Sequence, residues 1–376
     1  MSRLKVLELA VGVMGPFAGK ILADGGADVV RVEGPIGDWT KGGTPALKHG
    51  GLYSTLNNAK RIVTTGEDAG TFVSLVEKLA EHADVAIVDD ISSRALTDQR
   101  LIARNPRLIR TYVSTFGHSG PYFDYAASCF QLLALGGMMY ITGDPGREPL
   151  QIPGHHPEFI GGLHAYTATM AAVLRRQRFP KAGGERVEVT AFEAVASSAE
   201  MATTMYSYTG AVRSRFSGRQ PWGIQGEVLP CKDGYIAVHP GSMETLAFLI
   251  GRPDLAEDPL FTDGIYRLRH ADRFLDLLRP YLLERNRTEI LEECEALRIP
   301  FGGVFGIADL VEDPQLHERG YFRQVETDGE KVLVPGPVYT IAGREYPKAA
   351  QPAADAQSVV DEWRSAGDQA ANGVRV

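Results

Sequence analysis

The chain has 376 residues, 44% of them hydrophobic and 23% charged, with a net charge of −8; that length suits two domains with a sizeable core, and the composition is that of a soluble globular protein. The acidic balance argues against nucleic acid as a principal partner, because neutralising phosphates takes an excess of Lys and Arg. Three scattered cysteines (Cys129, Cys231, Cys294), no long apolar run and a start straight into a strand-like segment predict a reduced, cytoplasmic protein with no disulfide, membrane span or signal peptide.

In chain order, residues 6–9 read as a strand and 15–26 as a helix. Residues 28–33 form a second strand, and 68–82 are helical, with Phe72, Leu75, Val76 and Leu79 on one stripe. A third strand at 84–88, a helix at 98–105 and a fourth strand at 108–114 follow, and a helix through 165–177 leads by a basic turn to a strand-like 186–190. Strands separated by crossover helices mean a parallel sheet covered on both faces. The ligand of such a sheet is expected at the carboxyl ends of its strands. A basic, Gly/Pro-containing linker with Arg213, Arg215, Gly218, Arg219 and Pro221 precedes a compositionally different stretch. That stretch opens on a hairpin pattern over 228–238 with Asp233-Gly234 at its turn. Helices are expected at 243–250, 270–283 and 288–297, and again at 355–365 in the tail. The predicted class is α/β: a doubly wound parallel-sheet large domain over 1–215, a small α+β domain over 226–325, and a return segment over 326–376.

Several motifs fall short. Gly12, Gly15 and Gly19 after the first strand have the spacing G-x-x-G-x-x-x-G, not the G-x-G-x-x-G of a dinucleotide loop. Gly117-His118-Ser119-Gly120 misses the nucleophile elbow by one residue, and reads as a turn with His118 near the ligand crevice. No P-loop, H-E-x-x-H or C-x-x-C is present. Adjacent His155 and His156 point apart on an extended loop, so no metal is expected.

Glu158 stands apart. It follows the loop Gly154-His155-His156-Pro157 and precedes the small-residue helix start Gly161-Gly162. An acid at such a corner lies near backbone N–H groups and the positive helix end. That placement suits an ordinary first-turn acid, and it equally suits a carboxylate nucleophile.

Runs along the whole chain resemble the class III CoA-transferases, a family that includes formyl-CoA and carnitine CoA-transferases and the α-methylacyl-CoA racemases. These runs are Val6-Leu7-Glu8-Leu9 with Gly15-Pro16, Leu22-Ala23-Asp24-Gly25-Gly26-Ala27-Asp28-Val29-Val30-Arg31-Val32-Glu33, and Leu56-Asn57-Asn58-Ala59-Lys60-Arg61. Arg104-Asn105-Pro106, Phe116-Gly117-His118-Ser119-Gly120-Pro121, Gly251-Arg252-Pro253-Asp254-Leu255 and Ile299-Pro300-Phe301-Gly302-Gly303-Val304 continue the same order.

The resemblance implies a large doubly wound domain, a small domain and a chain that crosses back, two such open rings interlocking as a homodimer. It also implies acyl-CoA and a carboxylic acid as substrates. Glu158 aligns with the family's catalytic Asp, one methylene longer, a change in reach of about 1.5 Å. Where the family carries its CoA-binding turn after the third strand, this chain has Val88-Asp89-Asp90-Ile91-Ser92-Ser93. The coenzyme is expected along Val13, Met14 and Asp89, with Arg31, Lys60, Arg61 and Arg94 as cations for its phosphates; His155 and His156 join His118 as further pocket candidates. Three activities follow from the resemblance: CoA transfer through a covalent Glu158; racemisation or isomerisation of an acyl-CoA, although the histidine of that subfamily is missing near Ser128 and Cys129; and non-CoA acyl chemistry on the same fold.

Overall fold

The structure is a computed structural model, describing residues 4–42, 51–93, 96–215, 219–220, 223–224, 226–239, 241–327, 330–342 and 354–372. The chain divides into two compact units: Met1–Met138 with Gln151–Thr204 and Gln315–Val376, and Met139–Leu150 with Met205–Pro314. Residues 139–150 thus join the second unit, and the chain rejoins the first at 315 rather than 326. Of the linker expected over 210–225, residues 216–218, 221–222 and 225 lie outside the described residues.

The first unit runs β1 (Lys5–Glu8), α1 (Met14–Asp24), β2 (Asp28–Glu33), α2 (Gly51–Asn57), β3 (Arg61–Thr64), α3 (Ala69–Ala80), β4 (Val85–Asp89), the short α4 (Asp90–Ser93), α5 (Asp98–Arg104), β5 (Ile109–Ser114), α6 (Cys129–Leu135), α7 (His156–Arg178), β6 (Arg186–Thr190) and α8 (Ala191–Ser198). Six strands form one sheet in the order β3-β2-β1-β4-β5-β6, every pair parallel. Successive strand residues point to opposite faces, and both faces here are buried. Leu7, Val30, Val32, Ala86 and Val88 pack with Phe72, Leu75, Val76 and Leu79 of α3, and with Trp363 of the C-terminal helix Ala356–Asn372. Val6, Val29, Val85, Ile87, Ile109 and Val113 pack on the other side with Ala18 and Leu22 of α1 and Ala165, Ala172 and Val173 of α7. Two-sided burial is why these strands read as continuous apolar runs.

Helix α3 starts where Asp68 accepts from the amides of Gly70 and Thr71, an N-cap that satisfies otherwise orphaned donors. Helices α1 and α7 approach closely because Gly161 and Gly162 carry no side chain: a Cβ at Gly162 would lie 2.6 Å from the Met14 carbonyl oxygen. Phe17 and Phe159 meet edge-to-face beside this crossing, at 4.8 Å between centroids. In the second unit, strands Glu227–Cys231, Gly234–Val238 and Gly302–Gly303 form an antiparallel sheet. Its core gathers Leu229, Ile236, Leu246, Phe274, Leu278 and Ile290.

Candidate active site

The strand order 3-2-1-4-5-6 reverses between β1 and β4, and a doubly wound sheet opens a crevice at such a switch point. A pocket of about 540 Å³ lies there, within the range of small-molecule sites. Val11 and Gly12 after β1, Met14 and Gly15 opening α1, Asp89 and Asp90 at the end of β4, and Ser114 and Thr115 at the end of β5 line it. Ser128, Cys129 and Phe130 at the start of α6, Gly154, His155 and Glu158 at the start of α7, and Trp39 complete the wall.

Glu158 sits in the first turn of α7, one residue after Pro157, a residue pre-organised for a helix start. Gly154 turns the chain into the helix with φ +83°, a backbone conformation that disfavours side chains. Among the described residues, both polar contacts of the Glu158 carboxylate fall on Oε2: His155 Nδ1 at 2.8 Å and Cys129 Sγ at 3.3 Å. Burial, and after it the Glu158 charge, push the Cys129 thiol up to about 12. The group therefore stands as a thiol and donates its proton to Oε2. Cys129 opens α6, whose preceding Ser128 amide donates to Gln131 Oε1 at 3.0 Å. The His155 ring lies 5.4 Å from that of Trp39.

Asp89 braces the pocket wall. It accepts from the Val11 amide at 2.9 Å and from the Ser92 amide at 2.7 Å, and Ser92 Oγ donates to the Leu9 carbonyl at 2.7 Å. Its carboxylate ties the loop after β1 to the turn after β4. The Asp89 carboxylate at the pocket wall is thus engaged by backbone N–H groups.

Arg31 and Lys60 lie elsewhere than the sequence suggested. Neither lines the pocket; both are enclosed in an ion cluster around Glu8. Arg31 donates to Glu8 Oε1 and the Ala10 carbonyl, both at 2.7 Å, and to Glu33 and Asp38. Lys60 Nζ contacts both Glu8 oxygens, the Pro16 carbonyl at 2.8 Å and Asn57 Oδ1 at 3.0 Å. Buried charges need such partners. Burial opposes the Arg31 cation, but Glu8 and Asp38 outweigh it and its pKa is raised. For Lys60 burial wins, and its ammonium is depressed to about 8. A Cβ at Gly19 would fall 1.7 Å from Glu8 Oε2, so α1 carries glycine where it crosses the cluster. Ala10 and Pro16 flank the loop over 11–13, and Asp38 Oδ1 reaches the Gly12 amide at 3.4 Å, so the cluster fixes this loop, while Arg31, Glu33 and Asp38 also line a second, smaller pocket.

Arg61 pairs with Asp28 and Glu362 at 2.6 Å, and Trp363 Nε1 donates to the same Asp28. This cation anchors the C-terminal helix and is absent from the pocket wall. His118 lies 2.8 Å from Glu188 Oε1 and 3.3 Å from Asp90 Oδ1, and His156 is exposed at the start of α7; neither lines the pocket. Val13 is buried as the residue before α1, while its neighbour Met14 does reach the pocket. Arg94 lies outside the described residues. Among the described residues, no Lys or Arg lines this pocket.

Cys129 and Trp39 were not singled out from sequence. Cys129 lies 26 positions from His155, with nothing local to join them. The Trp39 indole closes over Gly12, where a Cβ would meet Nε1 at 2.9 Å.

The profile of CoA-transferase family III matches residues 1–358. The chain is 26% identical to succinate–glutarate CoA-transferase of Agrobacterium fabrum, over 89% of this chain and 87% of that protein. It is 29% identical to succinyl-CoA–D-citramalate CoA-transferase of Chloroflexus aurantiacus, covering 85% and 82%. A CaiB/BaiF family protein from Brucella suis superposes with a TM-score of 0.84 at 27% identity, covering 96% of this chain and 98% of that one. With a pocket at the sheet's switch point and a profile match along nearly its whole length, the chain belongs to CoA-transferase family III.

Proposed function

We propose that this protein is an acyl-CoA:carboxylate CoA-transferase in which Glu158 forms the covalent intermediates. The observation that carries this reading is the Glu158 carboxylate in the pocket wall at the start of α7, with both polar contacts on Oε2. Oε1 then attacks the thioester carbonyl, the C–S bond breaks, and CoA thiolate leaves a mixed anhydride. The thiolate attacks the glutamyl carbonyl and releases the first carboxylate, giving a glutamyl-CoA thioester. The acceptor carboxylate attacks that carbonyl and expels the thiolate, which takes the acyl group from the new anhydride and restores Glu158. Each step exchanges one anion for another, so the cycle needs no net proton transfer. Cys129 and His155 hold the orientation of the carboxylate, and near-attack geometry is sensitive to small displacements. The relatives compared above are named as CoA-transferases acting on succinyl or succinate substrates, which supports the transferase over the racemase reading.

The coenzyme enters past Met14 and the Asp89-Asp90 turn, with Arg94 as the cation for its phosphates, and the working form is a homodimer. Glu158→Gln keeps the shape of the side chain and removes the nucleophile. Transferase turnover should fall by several orders of magnitude with the fold retained. Near-wild-type turnover in that variant would overturn the assignment.

A further inference from the structure

We infer that Cys129, His155 and Glu158 form a binding site for a zinc-class divalent transition ion. The three candidate ligand atoms, Sγ, Nδ1 and Oε2, all lie within 4.8 Å of one another. Their separations are 3.3 Å from sulfur to oxygen, 2.8 Å from nitrogen to oxygen and 3.9 Å from sulfur to nitrogen. A tetrahedral zinc with bonds of about 2.3 Å to sulfur and about 2.0 Å to nitrogen or oxygen has ligand edges of about 3.3–3.6 Å. Each observed edge is thus within roughly half an ångström of the requirement, a shift that side-chain rotation alone supplies.

The ligand set selects the metal. A thiolate with an imidazole favours zinc and its soft or borderline neighbours over magnesium and calcium, which prefer oxygen. Three protein ligands with a fourth position left to water is the pattern of an open zinc site, and here all three residues line the pocket. The ligands come from two helix starts, α6 and α7. The expectation of no metal followed from the lack of a contiguous motif; this cluster joins residues 26 positions apart. On binding, the S–H bond is replaced by an S–Zn bond and the thiol proton passes to buffer. His155 binds through Nδ1 and carries its ring proton on Nε2.

A consequence rests on the proposed function: an ion on Oε2 draws electron density from the carboxylate whose Oε1 attacks the thioester, and fills the pocket where the thioester must sit. Metal binding and acyl transfer then exclude each other.

The test is a titration of the full chain with Co²⁺, an optical reporter for zinc, after reduction of its thiols. One equivalent should bring up a thiolate-to-cobalt charge-transfer band. Cys129→Ser should abolish that band, while Cys231→Ser, at a cysteine in the core of the second unit, should keep it. His155→Gln should weaken cobalt binding by more than the ~10–100-fold that follows from losing a group merely supporting a ligand. Folding of each variant is read by circular dichroism, and His155→Gln decides the matter if Cys129→Ser fails to fold. No charge-transfer band in the wild type, or a band surviving Cys129→Ser, overturns the site. The two readings separate cleanly. Stoichiometric Zn²⁺ that binds but leaves transfer untouched keeps the metal site and removes Glu158 from catalysis; no band together with an inactive Glu158→Gln does the reverse.

Discussion

Two adjacent glycines of α7 offer a controlled test of how the pocket is held. A Cβ at Gly162 would lie 2.6 Å from the backbone oxygen of Met14 and 3.0 Å from Phe17 Cδ1. A Cβ at Gly161 would instead meet the Met14 side-chain tip, Cε at 2.7 Å and Sδ at 2.9 Å. Both positions are inside the helix, so alanine gains about 1 kcal/mol of helix propensity at either. At Gly161 the flexible methionine swings aside, and the gain survives: stability should be unchanged or higher by up to about 1 kcal/mol. At Gly162 the obstacle is backbone, and forcing α7 away from α1 costs about 1–3 kcal/mol. The upper part of that range outweighs propensity and leaves a net loss of about 1–2 kcal/mol. Because Glu158 is one helical turn away, the same displacement moves the proposed nucleophile against the Gly12–Gly15 rim, and a shift near 1 Å costs about 10²-fold in rate. Denaturant unfolding of Gly161→Ala and Gly162→Ala, with turnover measured on both, reads the two effects. A Gly162→Ala protein as stable and active as Gly161→Ala would refute the close-approach argument.

Other consequences are independent of that crossing. Cys129, although partly exposed, should alkylate slowly with iodoacetamide at mildly alkaline pH, because burial and then the Glu158 charge raise its thiol to about 12; Glu158→Gln should speed the reaction, as followed by peptide mass spectrometry, and an unchanged rate would remove the electrostatic link. Lys60 has a folded pKa of about 8, below its ordinary 10.5, so between those values the unfolded chain holds a proton that the folded chain has released. Stability from this group therefore rises with pH across that window, and urea unfolding should show the wild type gaining on Lys60→Met from neutral pH toward 10.5. A constant or shrinking difference would contradict the sign. Arg94→Glu should weaken CoA binding in calorimetry, the loss shrinking with added salt as screening requires; equal affinity would discard this residue as a phosphate ligand.

The sequence carried the elements whose periodicity is strong. The Phe72-Leu75-Val76-Leu79 stripe is the buried face of α3, and the apolar run through Val85–Val88 lies within β4. Glu158 was visible because a Gly/Pro/His loop before small residues marks a helix start, and α7 begins there. β3 escaped notice because Arg61-Ile62-Val63-Thr64 is four residues long and only Val63 is fully buried. Cation roles were illegible for another reason. Whether a Lys faces a ligand or an internal carboxylate depends on partners brought from afar, such as Glu8 to Lys60 across 52 positions. The same holds for the Cys129 and His155 contacts on Glu158, since only the packed sheet brings the starts of α6 and α7 to one pocket.

The central claim is a covalent bond at Glu158, and the direct measurement is mass spectrometry of the protein quenched during turnover with the acyl-CoA it accepts from a panel of acyl-CoAs, followed by peptide mapping. A CoA adduct on the peptide containing Glu158, absent from Glu158→Gln, is the predicted result. Turnover with no adduct on that peptide, or an adduct mapping to Cys129 instead, would contradict it.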